Sequence, residues 1–335
     1  MGHIVALCGG VGGAKLADGL QQCLAPGTLA IIVNTGDDFE HRGLPICPDL
    51  DTVLYTLAGV ANAEQGWGRA DESWRVQAEW QALGLDSWFQ LGDRDIALHL
   101  HRRELQSQGM TLTQIARVLA LEMHVPSDLL PMCDAPAPTI VLSEQGEMSF
   151  QEYFVKHRCR PVARGFRYGA EECGTLSPEI RRALQDEHLE GIIVCPSNPY
   201  LSVEPILRVP EMRELLVRAQ APILAVSPII GGAAVKGPAA KIMHELELDV
   251  SPLAIARAYR DFVDVMLIDD QDAGLIALRE ADDPELETAP ILMRPPEDRR
   301  RLAALCLRLL RRAPSPGPGG ETRMPGRRTL SRPLR

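Results

Sequence analysis

One glycine-rich turn constrains this chain more than any other stretch: Leu7-Cys8-Gly9-Gly10-Val11-Gly12-Gly13-Ala14-Lys15-Leu16. The apolar run His3 to Leu7 before it reads as a buried strand. From Lys15 to Leu24 the spacing turns helical, with Leu16, Leu20 and Leu24 on one side. Strand, glycine turn and helix form the first half of a nucleotide-binding βαβ unit. Glycines without Cβ let a backbone approach a ligand closely, and amides opening a helix favour phosphate. The turn is not a Walker loop, because Leu16 stands where a magnesium-holding Ser or Thr belongs. It also breaks the dinucleotide fingerprint, since Gly10-x-Gly12 leads to Lys15.

The pattern predicts an α/β fold, a Rossmann-like, doubly wound and mainly parallel sheet. Length and composition agree: 335 residues can hold two domains, or one with an insertion, and 45% are hydrophobic. A net charge of −10 argues against nucleic acid or anionic lipid as partner, and 4% aromatics argues against a base-stacking platform. No apolar run reaches membrane-spanning length, and the chain enters its first strand with no signal peptide expected. Eight scattered cysteines without Cys-x-x-Cys suit reduced thiols in a cytoplasm.

The second strand, Leu29 to Val33, runs into Asn34-Thr35-Gly36-Asp37-Asp38. In a doubly wound sheet these residues belong at the ligand crevice. Cys47-Pro48-Asp49-Leu50-Asp51-Thr52 then opens a helix to about Ala61. One aspartate can cap it. Up to four carboxylates therefore stand near one phosphate-binding turn, which suits Mg²⁺. Residues 62–135 carry four tryptophans among helical patterns, and we read them as a helical subdomain inserted into a core of residues 1–61 and 136–312. Inside it, Leu91-Gly92-Asp93-Arg94-Asp95 opens a helix, with Arg94 placed to touch a phosphate or a ring oxygen. Thr139 to Leu142 reads as a third core strand. Gly191 to Cys195 and Pro222 to Val226 read as further strands. They end in Ser-x-Pro-type loops that carry Ser197, Asn198, Ser202, Ser227 and Gly231, and Lys236 follows as one more cation. Val263 to Ile268 reads as the last core strand, and Arg299 to Arg312 as a C-terminal helix. Residues 313–335, rich in Pro, Gly and Arg, are expected to be disordered.

The ordered set Gly-Gly-Val-Gly-Gly-Ala-Lys-Leu, Asn-Thr-Gly-Asp-Asp, Cys-Pro-Asp-Leu-Asp-Thr, Leu-Gly-Asp-Arg-Asp, Pro-Ser-Asn-Pro and Val-Ser-Pro-Ile-Ile-Gly-Gly closely resembles the 2-phospho-L-lactate transferase family of coenzyme F420 biosynthesis, over about residues 1–275. The resemblance implies transfer of a phospho-three-carbon acid (phospholactyl, phosphoenolpyruvyl or 3-phosphoglyceryl) from a guanylyl-diphosphate donor to the ribityl hydroxyl of the deazaflavin Fo. GMP would leave, and F420-0 or a variant would form. It implies a magnesium-dependent homodimer. By position, Gly9, Gly10, Gly12, Gly13, Lys15, Asn34, Ser197, Asn198, Ser202, Ser227 and Gly231 would hold the nucleotide. Asp51 and Arg94 would contact Fo and serve catalysis, and Asp37 and Asp49 would hold metal. A rival reading is a nucleotide-sugar-binding regulator of related fold without catalysis. The acidic and Gly-Asp-Arg-Asp motifs favour the transferase. A nicotinamide-dependent dehydrogenase is disfavoured by the broken fingerprint.

Overall fold

The computed structural model describes residues 2–235 and 237–313. The expected cation Lys236 and the expected disordered segment beyond Ala313 lie outside the described residues. Seven strands form one sheet: β1 (His3–Cys8), β2 (Leu29–Val33), β3 (Asp128–Pro131), β4 (Leu189–Val194), β5 (Ile223–Val226), β6 (Val265–Ile268) and β7 (Glu285–Thr288). Their spatial order is β3-β2-β1-β4-β5-β6-β7, and every pairing is parallel. The direction of winding reverses between β1 and β4. That is the switch point where open α/β sheets bind ligands.

A parallel sheet covered on both faces needs apolar side chains on both, which is why β2 reads Leu-Ala-Ile-Ile-Val without alternation. Ile4, Ala6 and Cys8 face one core, and Val5 and Leu7 face the other. The first core is closed by helices α1 (Gly10–Cys23), α2 (Pro48–Leu57) and the C-terminal helix Pro296–Leu310. Gly19 of α1 is required at that crossing, because a Cβ there would lie 2.1 Å from the Arg299 carbonyl oxygen.

Between α2 and β3 lie α3 (Arg75–Ala82), α4 (Asp93–Ser107) and α5 (Leu112–Glu122). Thr111 caps α5 through a full capping box with Gln114. Three sequence expectations are corrected here. The helical segment ends before residue 135, since α5 buries Ile115 and Leu119 in the main core and leads into β3 at the sheet edge. Thr139 to Leu142 is not a core strand. Residues 139–143 pair antiparallel with 146–149 and 163–168 in a separate three-stranded sheet. Nor is β6 the last strand, because β7 pairs outside it from Val265–Glu285 to Ile268–Thr288. β7 escapes periodicity because Glu285-Leu286-Glu287-Thr288 buries little beyond Leu286.

Candidate functional site

A cavity of about 1000 Å³ opens over the carboxyl ends of the core strands and runs from the glycine turn to the face shared by α2 and α4. At the glycine end its walls are main chain and short side chains. The Gly9 amide donates to Ser197 Oγ (3.1 Å), which ties the turn after β1 to the loop after β4. The Gly10 amide, at φ +64°, donates to Asp49 Oδ1 (2.7 Å). A Cβ on Gly12 would lie 2.5 Å from the Pro196 carbonyl oxygen. A Cβ on Gly9 would lie 2.6 Å from Asp49 Oδ2 and from Ser202 Cβ. The glycines therefore let this chain's own loops close upon each other. The room that a Cβ would take is filled by protein, contrary to the expectation that it is kept for ligand.

Gly9, Gly10, Gly12, Lys15, Ser197, Asn198, Ser202 and Ser227 line the cavity. Lys15 Nζ donates to the Met293 carbonyl (3.0 Å). Asn198 Oδ1 accepts from the Tyr200 and Leu201 amides, and so shapes its own loop. Three expected residues stand back. Gly13 is covered by Ser197 and Cys8. Gly231 gives its amide to Asp272 Oδ2 (3.0 Å). Asn34 is fully buried and braces the carboxylates from beneath: its Nδ2 donates to Asp49 Oδ2 (2.8 Å) and lies 3.4 Å from Asp37 Oδ1.

Asp37 and Asp49 both line the cavity. Burial pushes the Asp49 carboxyl up to about 6, although hydrogen bonds from Asn34, Gly10 and Ser202 draw it back. Burial, then the charge of Asp49, raises Asp37. Two buried carboxylates braced by one amide, with the charge of Asp49 disfavouring that of Asp37, fit a hard divalent cation. Among the described residues no group of three or more His, Cys, Asp or Glu stands in ligand geometry. This protein would therefore supply the pair, and substrate oxygens and water the rest. Neither Asp49 nor Asp51 caps α2, contrary to expectation: the helix starts at Pro48, and its N-cap Cys47 makes no side-chain bond.

The other end is built by two helices. On α4, Asp95, His99 and Arg102 share one face at spacings of four and three. Asp51 and Tyr55 of α2, one turn apart, face them. Arg102 is fully buried and bidentate on Asp51: Nη2 donates to Oδ1, and Nη1 donates to Oδ2 (3.2 Å). Burial opposes the guanidinium charge, and the Asp51 carboxylate outweighs it. Burial brings His99 down to about 4 and lifts Asp95 to about 6. Asp51, Tyr55, Asp95 and His99 line the cavity beneath Trp67, Trp88, Phe89, Phe150 and Phe154. Phe150 and Phe154 stack at 5.4 Å.

Arg94 does not join them. Residues 94 and 95 are neighbours on a helix and point apart. Glu72 accepts the Arg94 amide (2.8 Å) and the Asp95 amide (3.0 Å) and so fixes the turn. Asp95 then enters the cavity, while Arg94 lies exposed over a separate hollow with Arg69, His101 and Glu122. The geometry thus places Asp95 and His99 at the cavity, with Arg102 behind them, and leaves Arg94 outside it. The i, i+4, i+7 spacing of Asp95, His99 and Arg102 on α4 is the helical signal in the sequence that points to them. No thiol stands ready as a nucleophile here: burial raises Cys8 and Cys47 well above the ordinary thiol range.

Residues 4–289 match the family described as 2-phospho-L-lactate transferase CofD. A phosphoenolpyruvate transferase of Kitasatospora aureofaciens is 39% identical over 314 residues, covering 92% of this chain and 97% of that protein. A 2-phospho-L-lactate transferase of Methanosarcina mazei is 36% identical over 269 residues, covering 80% and 88%. Among solved structures, a member of the UPF0052 family from Bacillus halodurans superimposes with a TM-score of 0.60 at 15% identity, covering 91% of this chain and 98% of that one. That likeness is one of fold. No helix among the described residues is long and apolar enough to cross a membrane.

Proposed function

This chain belongs to the 2-phospho-L-lactate transferase CofD family, a family of transferases, and from that premise we propose that it moves a phospho-three-carbon acid from a guanylyl-diphosphate donor to the ribityl hydroxyl of Fo. One observation carries the reading: a single cavity holds a polar, main-chain-lined end and an aromatic end floored by carboxylate and imidazole. The first suits a nucleotide diphosphate, the second a flat heteroaromatic acceptor with a polyhydroxyl chain. Similarity to phosphoenolpyruvate and phospholactate transferases supports the three-carbon acid.

In this reading the acceptor hydroxyl attacks the phosphorus that bears the acid. The anhydride bond breaks, and GMP departs with the electron pair. Such transfers need alignment and charge neutralisation rather than covalent work by the protein. The N-terminal end of α1 and Lys15 hold the diphosphate. Ser197 and Ser202 orient it through the loop after β4, and Asp51 accepts the hydroxyl's hydrogen bond. Asp37 and Asp49 would hold Mg²⁺, which when bound offsets charge on the phosphate oxygens. A homodimer is part of the same proposal.

The test is a turnover assay read by mass spectrometry. It contains Fo, Mg²⁺, GTP, a partner guanylyltransferase, and phospholactate, phosphoenolpyruvate and 3-phosphoglycerate in competition. A deazaflavin heavier by one phospho-acid, formed with equimolar GMP, is the expected result. No product from any acid, with a UDP-sugar bound in preference to GDP, would overturn the reading in favour of a regulator.

A further inference from the structure

The cavity residue His99 stands outside every motif that points to the transferase, yet its ring is held by the same guanidinium that holds Asp51. Arg102 Nη1 lies 3.1 Å from His99 Nδ1. A guanidinium nitrogen carries only hydrogens to donate. An Nδ1–H facing it would set donor against donor, so Nδ1 is the acceptor and the ring proton sits on Nε2. The other partner in reach of Nδ1 is Asp51 Oδ2 at 3.8 Å, too far for a hydrogen bond. Arg102 is fixed in turn by Asp51 and by the Pro45 carbonyl (3.0 Å), and no part of it is exposed.

We infer that Arg102 is a positioning residue that sets Asp51 as an acceptor and His99 as a neutral Nε2–H donor, and that the two together recognise the attacking hydroxyl of the acceptor. A hydroxyl both donates one hydrogen bond and accepts. Its proton points to Asp51 and one lone pair takes the His99 Nε2–H, which leaves a second lone pair for phosphorus. An ammonium or an ether oxygen satisfies only one of the two groups, so the pair selects an alcohol. The charged and titratable groups around His99 are Asp95 and Arg102 on its own helix and Asp51 and Tyr55 on α2. The inference rests on the functional reading above and assigns within it the residue that discriminates the nucleophile.

Two measurements test it on the full-length enzyme with Mg²⁺. In two-bond nitrogen–proton spectra of histidine-labelled protein, with His99 assigned by H99Q, the signal at neutral pH should be that of a neutral ring protonated at Nε2. An Nδ1–H tautomer or an imidazolium would overturn the inference. In steady-state kinetics, H99F should raise KM for Fo about tenfold, the loss of one well-placed hydrogen bond, and leave GDP affinity unchanged. H99Q can donate again and should recover to within about threefold. R102K, folded as wild type, should lose the Nε2–H tautomer and raise KM for Fo, and a folded R102K that keeps both as in wild type would overturn Arg102 as the positioning residue. Unchanged Fo kinetics in H99F, with normal wild-type turnover, would defeat this inference alone. No product from the wild-type enzyme would defeat the functional reading and this inference with it.

Discussion

At the glycine end of the cavity, the walls are amides, carbonyls and short side chains that follow the carboxyl ends of β1, β4 and β5. At the α2–α4 end, they are long side chains from two helices, locked by one buried ion pair and covered by aromatic rings. The first end takes its shape from strand order, and the second from helix packing. A position at the first end tolerates almost no added atom. At the second end, what cannot be tolerated is an unmatched charge.

The sharpest way to break this contrast is Arg102→Met. It strands the Asp51 carboxylate at 5% exposure without its partner, and removing one member of a buried pair costs about 3–5 kcal/mol. Denaturant unfolding should show that loss, and a change below about 1 kcal/mol would mean that the pair is not what holds this end together. Asp95 gives the next effect. Its carboxyl stands at about 6 in the fold against an ordinary 3.8. The folded state therefore binds the proton more tightly, and the stability tied to Asp95 is greatest below the lower value and lost as pH rises through the upper one. Asp95→Asn should flatten that slope and be more stable than wild type above it by up to about 3 kcal/mol. Parallel pH–stability curves for the two proteins would contradict the burial argument.

At the glycine end, Gly12→Ala forces a Cβ against a backbone oxygen. It should cost about 1–3 kcal/mol and weaken GDP binding while Fo binding holds. Normal GDP affinity in a folded Gly12→Ala protein would show that the two loops need not close for nucleotide to bind. The smallest effect belongs to Arg94→Ala. The side chain is exposed and outside the cavity, so stability should move by less than about 0.5 kcal/mol, with Fo affinity nearly unchanged. A large loss of Fo affinity would restore the role that its motif suggests.

The contrast also explains what was legible in the sequence. Strands β1, β2, β4, β5 and β6 announce themselves as short apolar runs, because a parallel sheet must be apolar on both faces. The loop residues at their ends follow from the doubly wound rule, which places Ser197, Asn198, Ser202 and Ser227 at the crevice. Asp49 and Asp51 follow from the acidic run that begins with Asp37 and Asp38 past the end of β2, a strand end that belongs at the crevice. The α2–α4 end was not legible in the same way. Asp95, His99 and Arg102 reveal their shared face only when read at helical spacing, and nothing in α4 says that Asp51, some fifty positions earlier, will pair with Arg102. The motif around Arg94 does not say which of two neighbours enters the cavity, since adjacent residues on a helix point apart and Asp95 is the one that lines it. β7 carries no apolar run to announce it, because this edge strand buries only Leu286.

The division of the cavity is tested most directly by paired binding titrations, Fo followed by its fluorescence and GDP by calorimetry, on wild type, H99F and Gly12→Ala. A crossed pattern is expected: H99F loses Fo affinity and keeps GDP, and Gly12→Ala loses GDP affinity and keeps Fo. Loss of the same ligand in both variants would contradict it, and would mean that the two ends form one undivided site.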